Sequence, residues 1–299
     1  MRRVTGTVAL TAVVLALSVS GVRASGVRIT TPVSGARVIG PDILVQGVVP
    51  RGAGVTVNGY PALVEGDRFV TLVPADSSVT AITVIARDFT RVLGTESVPV
   101  AVETPPEETF TLRLEPTPKA GAPPLVVLFE PNYTSEFRNY SFDADGDGRP
   151  EAQGSSTTFP GVTVTYSQPG IYVASFTGTD RQGIARSARA VVHVANPTEL
   201  DARLQYVWSS LKTALRSGNV ARAVEFLHSS TRDRYRQQFE RFSPTTLTNI
   251  DQYMTTIRLV EIGLGGAEYE MLRQRDGQTY SYAVWFNLDR DGLWRLRSF

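Results

Sequence analysis

The chain has 299 residues, of which 42% are hydrophobic and 20% charged, and its formal net charge is +1. That composition belongs to a globular protein of two or three domains and excludes a disordered chain. Cysteine is absent, which excludes disulfides, thiol catalysis, Cys-ligated zinc and a lipid-modified N-terminal Cys.

The first 24 residues read as an export signal. Arg2 and Arg3 form a charged start, Val8 to Val19 a short apolar run, and Val22-Arg23-Ala24 a small-x-small cleavage site. The run is short for a bilayer span, so cleavage after Ala24 is expected, with a periplasmic, extracellular or cell-surface destination. Removing it leaves 27 basic and 29 acidic residues, a net charge of −2. Near neutrality gives no electrostatic case for nucleic acid or an anionic membrane. No second apolar run of transmembrane length follows, so no transmembrane segment is expected after cleavage.

Residues 26–103 read as short strands. Val55 and Val57 alternate into Asn58-Gly59, a hairpin signal. Ile43-Leu-Val and Val79-Thr-Ala-Ile-Thr-Val-Ile-Ala86 are further β-branched runs, and turn residues punctuate them closely. This pattern predicts a β-sandwich. The series Ile29-x-x-Pro32-x-x-Gly35, Val45-x-Gly47, Val55-Thr-Val-Asn-Gly59, Phe69 and Ile82-Thr-Val-Ile-Ala-x-Asp88 resembles the Ig-like domain of glucodextranase type. The usual Gly soon after the Asp is displaced, because Asp88 is followed by Phe-Thr-Arg-Val-Leu before Gly94. The resemblance implies a module without an active site. Thr104-Pro-Pro-Glu-Glu-Thr109 (104–109) then reads as a semi-extended linker.

Residues 110–195 form a second β module. Gly121-x-x-Pro124-Leu-x-Val-x-Phe129, Tyr140-Ser-Phe-Asp143, Tyr166-x-x-Pro169-Gly170-x-Tyr172-x-Ala174-x-Phe176 and Asp180-x-x-Gly183 follow in order. This series resembles a PKD domain, an Ig-like sandwich, and implies surface, protein or accessory carbohydrate contacts without catalysis. Phe142 stands where that family usually has Trp.

Between Phe142 and Gly154 the chain runs Asp143-Ala-Asp-Gly-Asp-Gly-Arg-Pro-Glu151. Asp143, Asp145 and Asp147 at spacing two, the Arg149 carbonyl and Glu151 are candidate oxygen ligands for a structural Ca²⁺. Position 154 is Gly where an EF-hand needs Glu, so this is no EF-hand. The other reading is a solvated acidic turn. Carboxylates this close repel, so without a cation the loop is expected to be strained or mobile.

After Pro197 the texture changes. Leu200, Leu204, Val207, Trp208, Leu211 and Leu215 recur at helical spacing, with Thr198 and Asp201 as a capping box. Gly218 ends that helix and Asn219 caps the next. A further helix after Ser243-Pro244 carries Leu247, Ile250 and Met254. From about residue 257 four strands follow, with turns at Gly277 and Asp291-Gly292. Helices and then an antiparallel meander make 197–299 an α+β domain. With Ala283-Val-Trp-Phe-Asn-Leu-Asp-Arg-Asp-Gly-Leu-Trp-Arg-Leu296 near its end, it resembles the nuclear transport factor 2-like or SnoaL-like cone, a family of enzymes, ligand binders and structural modules. The expected fold is therefore multidomain: two all-β Ig-like sandwiches followed by an α+β cone-like domain.

Chemistry-bearing residues are few. His193 and His228 fall in different domains and are expected to be structural, His228 at a helix end. Asp251, Tyr253, Tyr269, Tyr280 and Tyr282 could line a cone cavity, or be surface and core groups; Trp208, Phe239 and Trp285 could pack that cavity shut. Arg232, Arg234, Arg236 and Arg241 read as a solvated, ion-paired helix face. Tyr133, Phe137 and Tyr140 could form a carbohydrate platform if exposed on one sandwich face. The sequence thus points to an exported, non-catalytic protein whose sandwiches form a semi-rigid, calcium-stiffened stalk. Its C-terminal domain would meet a protein or cell-envelope partner, or a ligand. The alternatives are an enzyme or small-ligand site in the cone, and accessory carbohydrate binding.

Overall fold

The computed structural model describes residues 26–103, 112–133, 137–155, 159 and 161–299. The expected export segment 1–24 and linker 104–109 lie outside the described residues.

In the first module the strands are β1 (Arg28–Thr31), β2 (Ala36–Ile39), β3 (Asp42–Val48), β4 (Gly54–Val57), β5 (Tyr60–Pro61), β6 (Leu63–Glu65), β7 (Arg68–Pro74), β8 (Ala81–Arg87) and β9 (Val92–Glu103). One sheet runs β1-β3-β7-β6 and the other β2-β9-β8-β4-β5. Strict alternation in β3 and β8 sends Ile43, Val45, Ile82 and Val84 into the space between them. The Asn58-Gly59 hairpin forms as expected, with φ of 47° and 85° at the two turn residues.

The second module has β10 (Leu112–Thr117), β11 (Ala120–Gly121), β12 (Leu125–Tyr133), β13 (Phe137–Asp143), β14 (Ala152–Gly154), β15 (Val162–Tyr166), β16 (Gly170–Asp180) and β17 (Ala185–Val194). Its sheets run β10-β12-β15 and β11-β17-β16-β13-β14. In both modules a short early strand crosses to pair in parallel with the last strand, β2 with β9 and β11 with β17. The remaining order reproduces the two-sheet arrangement of immunoglobulin domains. Both are immunoglobulin-like sandwiches. Phe142 serves as the second module's anchor, fully buried with its ring 5.0 Å from Phe129.

The C-terminal region is helix first, then sheet. Helix α1 (Pro197–Arg216), α2 (Val220–Ala223), α3 (Arg232–Glu240) and α4 (Pro244–Thr248) precede β18 (Ile257–Gly263), β19 (Gly266–Arg275), β20 (Gln278–Leu288) and β21 (Trp294–Ser298), in antiparallel order β18-β19-β20-β21. The cap of α1 differs from the capping box expected at Thr198 and Asp201. Asn196 caps it, accepting from the Thr198 and Glu199 amides, with Pro197 in the first turn. Asp201 instead accepts the Tyr269 hydroxyl at 2.9 Å. Asn219 caps α2 as expected. Helix α4 stops at Thr248, short of Ile250 and Met254. Thr248 and Asn249 bond back to the Pro244 and Thr245 carbonyls, a local bonding that competes with continued helix.

The modules do not string out as the expected stalk. Glu65, at the end of β6, accepts from His193 Nε2 at 2.9 Å and from the Asn196 amide at 3.1 Å. One carboxylate of the first module thus holds the last strand of the second and the helix cap of the third. The first module also packs directly on the C-terminal domain. Phe89 enters that domain's hydrophobic cluster, its ring 4.9 Å from Phe226. Gly54 and Gly292 meet so closely that a Cβ on Gly54 would stand 2.7 Å from the Gly292 carbonyl carbon. The reason the extended arrangement fails is local. These surfaces bury an aromatic ring and pair charges, and such gains favour docking over separation.

Candidate functional site

The acidic loop follows β13. Asp143, Asp145 and Glu151 each offer a carboxylate oxygen within 4.8 Å of the other two. Asp147 is not in that group; its carboxylate accepts the Arg149 amide at 2.7 Å. Backbone amides hold the rest: Asp143 accepts from Gly146 at 2.7 Å and Gly148 at 2.9 Å, and Glu151 accepts from Ala144 at 2.5 Å. Gly146 and Gly148 have φ of 79° and 83°, which lets the chain turn these amides inward. The expected repulsion is therefore offset by N–H donors, and the loop is ordered by its own backbone. Three hard oxygens in this arrangement suit Ca²⁺ by donor type, with further ligands needed from carbonyls or water. Asp145 also faces the cleft between the two sandwiches, together with Tyr172 and Arg68.

The residues considered for a cone cavity do not converge. Tyr269 is fully buried, and burial together with its hydrogen bond to Asp201 pushes its phenol well above the ordinary value. Asp251 points outward between Lys212 at 2.8 Å and Arg216 at 2.6 Å; both hold its carboxyl below the usual range. Tyr253, Tyr280 and Tyr282 are exposed, with the Arg273 guanidinium over Tyr253 and Tyr282. The space between helices and sheet is filled by Leu204, Val207, Trp208, Leu211, Tyr269 and Phe286. Phe299 continues that packing, stacked 5.0 Å from Tyr235.

The histidines have structural partners. His193 is buried under Glu65, which belongs to another module. His228 does not end a helix. It sits in the loop before α3, where its Nδ1 meets Ser230 Oγ at 2.8 Å and its Nε2 stands 3.6 Å from Asp289. The geometry has the order of a Ser-His-Asp set, but the partners assign it otherwise. Asp289 is committed to the Ser229 hydroxyl at 2.6 Å and to Arg295 at 3.1 Å, and Ser230 lies on the open surface. The cluster locks the β20–β21 hairpin under Phe89, over which Arg295 also sits.

Trp285 is the residue whose place the sequence reading missed. It does not help close the core. Val284 and Phe286 face inward from β20, so Trp285 faces out, 41% exposed. Leu272 of β19 stands on the same face, 48% exposed. A groove of about 570 Å³ surrounds Trp285, with Glu261, Glu268, Asn287 and Arg297 in its walls. Charges alternate across this face, where Arg258 pairs with Glu270 at 2.8 Å. The period-two alternation of Tyr282 to Phe286 was the signal that could have found it. By contrast, the aromatic platform expected at Tyr133, Phe137 and Tyr140 does not form. Phe137 is buried, Tyr133 packs on its edge, and Tyr140 packs on Phe159 and Phe176.

No family model and no curated protein matches the sequence. Solved structures do resemble parts of it. The fibronectin(III)-like modules of Clostridium thermocellum CbhA share 16% identity over 56% of this chain and 94% of theirs, with a TM-score of 0.21. The Yersinia pseudotuberculosis adhesin InvE shares 10% over 57% of this chain, with a TM-score of 0.21. SGBP-B of a Bacteroides ovatus mixed-linkage glucan utilization locus, solved with a mixed-linkage heptasaccharide, shares 14% over 55% of this chain, with a TM-score of 0.19. The chain spans 59% of the adhesin and 45% of the glucan-locus protein.

Proposed function

We propose that this chain is an exported, non-catalytic binding protein that offers the open face of its C-terminal sheet to a protein of the cell envelope. The observation that carries the reading is exposed Trp285 in a groove walled by Glu261, Glu268, Asn287 and Arg297, with exposed Leu272 farther along the same sheet face opposite Ser281. Apolar anchors inside a polar rim are the usual anatomy of a protein interface, and Trp is enriched among its energetic anchors. The two sandwiches then act as a docked base rather than an extended stalk. Ca²⁺ on Asp143, Asp145 and Glu151 would stiffen the second of them at its cleft with the first.

The test is site-specific photo-crosslinking in the native envelope. A benzoylphenylalanine at Ala283, on the same face between Ser281 and Trp285, should capture a discrete partner. The same group at Glu130, on the exposed side of the second sandwich, should not. Equal capture from both positions, or none from Ala283, overturns the reading. A neutral oligosaccharide that shifts the emission of Trp285, while Trp208 and Trp294 stay buried, would point instead to saccharide recognition on the same face.

A further inference from the structure

A second crevice lies where the first sandwich meets helix α1, away from the sheet face. It has a volume of about 570 Å³, within the range of small-molecule sites, and such sites favour domain boundaries. Phe89 of the first module, Val207 and Tyr206 of α1, and Leu293 and Trp294 after the β20–β21 turn give it apolar walls. One further wall residue, Arg203, is a cation that makes no hydrogen bond or ion pair with another described residue. The three other charged side chains of its walls, Arg51, Glu199 and Asp88, are taken, as is nearby Glu65, which holds His193 and the Asn196 amide. Glu199 pairs with Arg51 at 3.5 Å. The Asp88 carboxylate accepts from the Thr90 amide and hydroxyl, both at 2.6 Å, and from the Arg91 amide at 2.8 Å.

We propose that this crevice binds a small amphipathic organic monoanion, with its carboxylate on Arg203 and its apolar body against Phe89, Leu293 and Trp294. A guanidinium suits a carboxylate because its donors match two oxygens at once. Burial works against the charged Arg203, with Glu65 and Glu199 only partly opposing it, so an incoming anion relieves a cost already present. A polyanion such as a nucleotide is disfavoured, since Glu199 and Asp88 share the walls. A neutral apolar ligand would leave Arg203 desolvated and unpaired. Because the two walls belong to different modules, the ligand also ties the first sandwich to the C-terminal domain.

The full chain should be titrated with 2-naphthoate by calorimetry, with neutral 2-naphthol as the comparison. The expected result is saturable binding of naphthoate, about tenfold or more tighter than naphthol, as for a charge-assisted contact. Arg203→Gln should erase the difference between the two probes and leave naphthol binding unchanged. Ala202→Trp, on the exposed rim of α1, should block both. Trp285→Ala should bind naphthoate as the parent chain does, which separates this site from the sheet face. Melting curves identify any variant that has lost its fold, and the naphthoate-to-naphthol ratio on the parent chain stands without variants. Absence of saturable binding, equal binding of the two probes, or undiminished naphthoate binding by Arg203→Gln overturns the proposal.

Discussion

The ring of Phe89 stands 4.9 Å from that of Phe226, tilted at 44°, across the boundary between the first sandwich and the C-terminal domain. The Arg295 guanidinium also lies over that ring, 5.5 Å from its centre. Phe89 thus meets both a ring and a cation of the domain it enters. Replacing it with Ala should cost about 2 kcal/mol, below the roughly 3–5 expected for a fully buried Phe, because the ring is only half-buried. Calorimetry should then resolve separate melting of the first module where the parent chain melts cooperatively. A single unchanged transition would deny the coupling.

Gly292 makes the sharper test of docking. Its φ is +79°, and a Cβ there would lie 2.2 Å from the Val55 carbonyl oxygen. Gly292→Ala should cost more than the roughly 1–2 kcal/mol of a left-handed residue alone, since the first sandwich must also move away. The matching change at Gly277, with φ +77° and open space around it, should cost only the backbone term. Equal effects at the two positions would mean that the Val55 contact is absent in solution.

The buried cluster below Phe89 sets an acid dependence. Burial works to raise the Asp289 carboxyl, but hydrogen bonds from Ser229 and Arg290 and the nearby His228 overcome it and hold the group below its usual 3.8. A lowered carboxylate stabilises the fold above its unfolded value, and that stability is lost as pH falls through the lowered one. The parent chain should therefore lose melting temperature below about pH 4, where such carboxylates begin to protonate. Asp289→Asn should remove that part of the slope and cost about 1–3 kcal/mol at neutral pH, because Ser229 loses its charged acceptor while Arg295 keeps Asp291 at 2.8 Å and the Glu225 carbonyl at 2.9 Å. An unchanged acid slope would place the sensitivity elsewhere.

Calcium should act through the second sandwich. Adding Ca²⁺ to chelator-treated protein should raise the melting temperature, and Asp143→Asn or Glu151→Gln should abolish the rise. Asp147→Asn should matter less, since Asp147 stands outside the three-oxygen group. Identical melting with and without Ca²⁺ would leave the loop as an acidic turn ordered by its amides.

Much of this fold was legible because its signals are local. Alternation in Ile82 to Ala86, the Asn58-Gly59 turn and the helical spacing from Leu200 to Leu215 each act within a few residues. Helix ends were less so. Pro197 pulled the start of α1 back to Asn196, and side-chain bonding cut α4 short. The docking was not legible, because its partners are 137 residues apart at Phe89 and Phe226 and more than 230 apart at Gly54 and Gly292. One trace did exist. The displaced Gly after Asp88 makes room for Phe89, so the departure from the expected hairpin is the docking element itself. Trp285 was misplaced for the opposite reason: the alternation was present, but aromatic character argued for the core.

Docking makes the three modules one body, and small-angle scattering of the chain from residue 25 measures whether they are. A single compact body of this length should give a radius of gyration of about 19 Å. Three bodies of about 100 residues strung out at roughly 40 Å spacing should give about 35 Å. A value near the first supports docking of Phe89 and Gly292 in solution; a value near the second contradicts it.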